Sequence, residues 1–468
     1  MSGPVSHNSP APSTIGELGA LLRLGWPMIA TQLFVMATGF LDTAMAGNYG
    51  STDLAGVAMA GNLMWPFFML TTGITMALTP IVAQLRGSGS VHAAGERIRQ
   101  GLWVVIPGSL IMILILWNSR IIFEASGIDP EVTRIASGYL KAVCFGMPPV
   151  LLYMALRQVS EGLGHTMPPM FIAGAIIPLN ALLNYAFIFG VWGFPELGGI
   201  GAGWATAIVF WVELIAMLFV TRRHWFRATG VFKKFSLPDF AEIGRLLRIG
   251  IPIGLTFFIE MTIFSLVGFL IGRMGVTELA AHSIAGNLNW MTFVLPSALG
   301  AAAGIRVGFH VGAGDSLAAR FSALTAWRLA FVYAVVAGIL LFLGRNLLVS
   351  VYTDDIEVKV MAATLLIFIA IYQLADDTQA VAAGTLRGYK DTTMPMVIGL
   401  IGYWLIALPF GFALAEGLSE GLTGLAPLGV FGYWAGLTVG LGLVAIALGL
   451  RLLSTSSNSR RIASLAHR

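Results

Sequence analysis

The sequence predicts an all-α integral membrane protein: twelve transmembrane helices in two six-helix lobes, related by a pseudo-two-fold axis along the membrane normal. Three observations predict it. The 468 residues are 57% hydrophobic and only 11% charged, with a mean hydropathy of +0.83, whereas soluble domains carry about 25% charged residues. Apolar stretches of the roughly 20 residues needed to cross a bilayer recur twelve times along the chain. The second half also repeats the first at an offset of 225 residues. This composition excludes a soluble enzyme for most of the chain.

The expected spans cover roughly 24–47, 54–80, 102–123, 135–156, 168–190, 200–220, 249–272, 279–305, 325–348, 360–385, 394–415 and 426–451. Each must be a helix, because lipid offers no partner to backbone N–H and C=O groups. The alternating strands of a membrane β-barrel are absent. Residues 1–14 are polar and rich in Pro and Ser, and read as a disordered cytoplasmic tail, not a signal peptide. A basic linker over 221–248 joins an N-terminal lobe (1–220) to a C-terminal lobe (249–452), and 453–468 form a second cytoplasmic tail. The single cysteine, Cys144, rules out an intrachain disulfide and reads as a packing residue.

Orientation follows from charge. With a cytoplasmic N-terminus, 21 of the 27 Lys and Arg fall in inside segments, seven of them in the linker. That bias predicts a multi-pass protein of the cytoplasmic (inner) membrane with both termini inside. The basic balance therefore belongs to membrane loops, and no nucleic-acid partner is expected.

The repeat keeps polar residues in phase. Leu21-Leu22-Arg23-Leu24-Gly25-Trp26-Pro27 reads against Leu246-Leu247-Arg248-Ile249-Gly250-Ile251-Pro252, and Ala60-Gly61-Asn62-Leu63-Met64-Trp65 against Ala285-Gly286-Asn287-Leu288-Asn289-Trp290. Gly87 and Gly89 fall on Gly312 and Gly314. A weaker echo sets Glu161–Pro168 against Leu386–Pro395. Six spans per half send both halves into the membrane in the same direction, with a site expected between them near the midplane. Such lobes suit alternating access by rocking.

The ionisable residues inside the spans are Asp42, Glu213, Glu260, Asp376 and Asp377. A charge at mid-membrane costs roughly 2.5–3.5 kcal/mol, and no Lys or Arg is expected near mid-span to offset it. These acids are therefore protonated, cation-bound or facing water. Asp376 has Tyr372 at i−4 and Gln379 at i+3; Glu260 has Thr256 at i−4 and Phe264 at i+4. Carboxylates and hydroxyls are hard ligands suited to a hard cation at Glu260 and Asp376, and carboxylates also carry protons. Asp377 is turned by about 100° from Asp376. Glu213 lies in the cytoplasmic half of its span and is expected to snorkel or pair. Asn180 and Asn184 share a helix face, and their amides need a partner, for which Asp42 is the candidate. The 20 Met and the aromatics suit an adaptable cavity wall. No Walker lysine loop, His-Glu-x-x-His or Gly-x-Ser-x-Gly is present. The chain is thus not expected to be an enzyme or to need a cofactor, and energy comes from an ion gradient or another subunit.

These residues resemble the MATE (multidrug and toxic compound extrusion) family. Leu386-Arg387-Gly388-Tyr389-Lys390-Asp391-Thr392-Thr393-Met394-Pro395 is similar to its C-half signature, and Pro27 with Leu41-Asp42-Thr43-Ala44-Met45-Ala46-Gly47 to its first helix. The resemblance spans essentially the whole chain and is NorM-type. It implies a C-lobe cation-coupling site at Glu260, Asp376, Tyr372 and Asp377. It also implies an N-lobe proton or substrate site at Asp42, Asn180 and Asn184. Phe264 and Gln379 are expected in the substrate cavity. The implied function is a monomeric antiporter in membrane lipid that exports cationic or amphipathic small molecules in exchange for Na⁺ or H⁺. The alternative is a flippase for a lipid-linked or polysaccharide precursor. Such proteins favour a cationic cavity, whereas the charges here are acidic.

Overall fold

The computed structural model describes residues 13–417 and 427–466, which contain helices and turns and no strand. The expected tail over 1–14 lies almost wholly outside the described residues, as do residue 426 and the last residues of the C-terminal tail, 467–468.

The first lobe comprises α1 (Thr14–Tyr49), α2 (Ser51–Thr75) continued by α3 (Leu78–Gly87), α4 (Ala94–Trp117), the short α5 (Ser119–Ala125), α6 (Pro130–Cys144), α7 (Met147–Gly162), α8 (Met167–Phe189) and α9 (Gly199–Val220). The one-turn α10 (His224–Arg227) lies in the linker. The second lobe comprises α11 (Phe240–Gly272), α12 (Val276–Gly312), α13 (Ser316–Ser350), α14 (Ile356–Gly388), α15 (Thr393–Leu400), a π turn over Ile401–Ala407, α16 (Leu408–Ala415), α17 (Val430–Ser457) and the terminal α18 (Ser459–Ala466). Among the described residues eleven helices are long and apolar enough to cross a membrane, and α6 with α7, bent by 56° at their break, bring the number to twelve when taken as one span.

The spans differ from the expected ones in two ways, each with a physical cause. The fourth breaks at Phe145–Gly146 because Pro148 and Pro149 sit in the first turn of α7, where a missing N–H is harmless only if a new helix starts. Many helices also run past their apolar windows. Asp239, Asp315 and Asp355 cap α11, α13 and α14 by accepting from backbone N–H groups two or three residues on, so polar first turns stay helical.

Each lobe has its own core. Met64, Phe68, Leu140 and Tyr153 anchor the first; Tyr372, Tyr403, Trp434 and Leu441 anchor the second. The first turns of α11, through Leu246, Ile249 and Ile253, pack into the first lobe's core. The lobes meet at the linker end, and there the repeat shows itself. A Cβ on Gly87 would fall on the Phe309 carbonyl, and a Cβ on Gly312 on the Gln84 carbonyl. The offset of 225 carries each of these contacts onto the other, so the pseudo-two-fold axis runs between α3 and the end of α12. Only glycine lets the two backbones approach so closely.

The linker is strapped to α4. Arg99 donates to the carbonyls of Gly230 and Val231 at 3.0 and 2.9 Å and to Ser236 Oγ at 2.9 Å. Trp103 Nε1 donates to the Ser236 carbonyl at 2.9 Å.

Candidate functional site

Two polar clusters lie within the helices, one in each lobe. In the first, Asp42 of α1 is 8% exposed and Asn180 and Asn184 of α8 are fully buried. Asp42 Oδ1 accepts from Asn180 Nδ2 at 3.0 Å and from Asn184 Nδ2 at 2.6 Å, and Oδ2 accepts from Thr206 Oγ1 of α9 at 3.4 Å. Asn184 Nδ2 also donates to Asn180 Oδ1 at 3.0 Å. Tyr139 of α6 lies beside Thr206 and Asp42. Every partner of the carboxylate is neutral, so its charge is solvated by dipoles but not cancelled. Asn184 Oδ1 is buried without a partner. A buried orphan acceptor beside a carboxylate is suited to a proton or a cationic donor.

In the second lobe Glu260 of α11 faces α14. The Gln379 side chain serves both Glu260 and Asp376, and Asn289 of α12 also reaches Asp376. Gln379 Nε2 lies 3.5 Å from the Tyr403 hydroxyl. Tyr372 is fully buried, its ring edge-on to Trp434 at 6.0 Å, and its hydroxyl has no partner. That hydroxyl faces the electrostatic field of Asp376 and Glu260. Two carboxylates, a shared amide and an unused hydroxyl form an oxygen-rich set of the kind a hard cation binds.

A crevice of about 50 Å³ opens at Glu260, lined by Thr256, Phe257, Ser297, Gln379 and Arg387 among others. It has room for an ion and a few waters, whereas drug-sized ligands occupy roughly 300–1,000 Å³. Phe264 packs against the second lobe's core, outside this crevice's lining. Asp377 points elsewhere. It is fully buried toward α12 and α13, and with its amide nitrogen turned that way Gln373 donates to both Asp377 oxygens at 3.0 and 3.1 Å. Tyr333 of α13 stands nearby.

The expectation that no basic residue approaches the buried acids is corrected. Arg387 lines the Glu260 crevice and stacks over Phe257 at 5.5 Å. Arg157, whose side chain is 11% exposed, pairs with Glu161 at 2.7 Å and acts on Glu213. Both arginines were overlooked because α7 and α14 continue beyond their apolar windows. Glu213 feels the Arg157 charge but makes no ion pair with it. The sequence reading also missed Thr206, Tyr139, Asn289 and Tyr403. A search for every amide and hydroxyl in the spans, not for ionisable groups alone, would have found Thr206 and Asn289.

The MatE family model matches residues 27–186 and 252–413. This chain belongs to the MatE family. Each matched segment carries one cluster: Asp42, Asn180 and Asn184 in the first, Glu260, Tyr372, Asp376 and Gln379 in the second. The chain is 41% identical over 440 residues to the multidrug resistance protein MdtK of Proteus mirabilis (strain HI4320), covering 94% of this chain and 95% of that protein. Its fold is similar to that of the eukaryotic MATE transporter AtDTX14 (TM-score 0.84, 22% identity, 97% of this chain and 98% of the other). It is also similar to the Vibrio cholerae MATE transporter VcmN in its bent form (TM-score 0.83, 18% identity, 96% and 99%). A MatE protein is a membrane transporter, not an enzyme.

Proposed function

We propose that this MatE protein is a monomeric, cation-coupled multidrug antiporter of the inner membrane, with both termini cytoplasmic. It exports cationic and amphipathic compounds as the lobes 1–220 and 249–452 rock about the linker. The observation that carries this reading is the carboxylate pair Glu260 and Asp376, joined through Gln379 and facing the unpartnered Tyr372 hydroxyl. In a dry site two such charges repel, so a proton or cation must neutralise at least one. The site thus has a reason to take up Na⁺ or H⁺ from one side and release it to the other. Asp42 with Asn180 and Asn184 is the matching proton or substrate site of the first lobe. The acidic character of both clusters disfavours a flippase for phosphate-bearing precursors. Efflux of a cationic dye from vesicles, driven by an imposed Na⁺ gradient and separately by a pH gradient, tests the reading. Efflux under at least one gradient is expected; efflux under neither overturns it.

A further inference from the structure

A second cavity lies away from both carboxylate clusters. It is a cleft of about 760 Å³ at the linker end of the second lobe, between α11, the turn before α15, and α17. Gly244, Leu247, Arg248, Ile251 and Pro252 form one wall and recur at helical spacing on one face of α11. Thr393 and Met394, with the Asp391–Arg451 pair, form the other.

The charges are unequal. Asp391 accepts from Arg451 Nε at 2.8 Å and Nη2 at 3.1 Å, and from Thr455 Oγ1 at 3.2 Å, so its carboxylate is satisfied. The nearest acid on α11, Glu242, is held by Arg97 and Arg245. Arg248 is exposed and makes no hydrogen bond or ion pair among the described residues. The cleft therefore keeps one uncompensated guanidinium, with the Thr393 hydroxyl opposite. Arg248 immediately precedes the apolar part of α11, which places it at headgroup depth. Ile251 and Met394, 41% and 38% exposed, continue the cleft as an apolar track toward the hydrocarbon.

The repeat supplies an internal comparison. In the first lobe the residue corresponding to Asp391, at the offset of 226 that sets Thr166 against Thr392 at the helix caps, is His165, whose ring stacks on Trp225 of the linker at 3.9 Å. Arg23 corresponds to Arg248 and is likewise exposed, but it is not among the residues lining this cleft.

We propose that this cleft binds an anionic phospholipid. Arg248 holds the phosphate in a forked, charge-assisted contact, Thr393 donates to it, and an acyl chain lies along Ile251 and Met394. Basic recesses between helices at the membrane surface recognise headgroups in this way.

The test uses the full-length protein, delipidated in detergent and titrated with phosphatidylglycerol, phosphatidylcholine or inorganic phosphate while its melting temperature is followed. Phosphatidylglycerol should raise the melting temperature saturably, the other two far less. Arg248→Ala should weaken the apparent affinity for phosphatidylglycerol by roughly tenfold or more, while Arg23→Ala leaves it unchanged. As a second readout, Met394→Trp should be quenched more by brominated phosphatidylglycerol than by brominated phosphatidylcholine. The proposal is overturned if Arg248→Ala keeps the wild-type response, if Arg23→Ala loses it equally, if inorganic phosphate reproduces it, or if the two brominated lipids quench alike.

Discussion

Glu17 in the first turn of α1 and Arg306 on α12 join the two lobes through a bidentate ion pair, at 2.5 and 3.0 Å. The offset of 225 carries Glu17 onto Glu242, and Glu242 pairs across the lobes with Arg97 at the start of α4. The first helix of each half thus sends an acid to the opposite lobe. Gln84 adds a third crossing, donating from Nε2 to the Gly388 carbonyl at 3.0 Å. All three lie at the linker end, which is the end closed in this conformation.

These contacts must break for the linker end to open. Glu17 is 6% exposed and Arg306 24%, so removing one partner costs the closed state about 1–3 kcal/mol. Spin labels at Ser88 and Leu317, one on each lobe, should report a longer distance in Arg306→Ala and in Glu17→Gln. The reversed pair, Glu17→Arg with Arg306→Glu, should recover the shorter one. Unchanged distances in both single variants would show that the pair does not hold the lobes together.

The coupling site predicts an order among neighbouring acids. Glu260→Gln and Asp376→Asn keep size and hydrogen bonding, so both proteins should insert normally and lose most gradient-driven efflux. Asp377→Asn should do less damage, because Asp377 faces Gln373 and not the Glu260 crevice. Asp42→Asn should also impair efflux, since only neutral groups surround that carboxylate. Vesicle efflux normalised to protein amount measures all four. Full activity of Glu260→Gln under both gradients would remove Glu260 from the coupling site.

The sequence made some of this legible for definite reasons. Two amides four residues apart in a lipid-embedded helix need a partner, which is why Asn180 and Asn184 pointed to Asp42. The echo between the halves also marks a real turn. Gly164 has φ 82° and Lys390 φ 60°, and the N–H of each donates to the carbonyl of the third residue back, Glu161 and Arg387. Other features depend on geometry that composition does not encode. Tyr403 reaches Gln379 from within the π turn, which precedes Pro409 and contains Leu405, the carbonyl that this proline leaves without a helical donor. Arg387 enters the crevice because α14 runs on to Gly388. Adjacent acids look alike in sequence, and only packing against α12 and α13 separates Asp377 from Asp376.

Topology is testable at linker position Phe235, but not at its neighbour Ser236. Ser236 is tied to Arg99 and Glu96, so a thiol there would react slowly from either side. Phe235 is 78% exposed, and Val276, at the opposite end between α11 and α12, is 87% exposed. An impermeant maleimide should label Val276→Cys in intact cells and Phe235→Cys only in inverted vesicles. Labelling of Phe235→Cys in intact cells would reverse the orientation.

Lys390 gives a pH prediction with a definite sign. It lies in the turn between α14 and α15, and its Nζ donates to the Ala466 carbonyl at 3.0 Å, fastening α18. Burial, aided by nearby Arg97, pushes the ammonium from 10.5 down to about 8. Below pH 8 the group is protonated in both folded and unfolded chains and adds no slope. Between pH 8 and 10.5 the folded protein has released the proton and the unfolded chain still holds it, so stability rises with pH. Lys390→Met should remove this contribution. The melting temperature of wild type relative to Lys390→Met should be flat below pH 8 and climb from pH 8 to 10.5, with every other lysine cancelling in the comparison. The variant should also free the Ala466 carbonyl and make α18 easier to cleave. Parallel melting curves across that window would mean that Lys390 titrates like a solvent-exposed lysine.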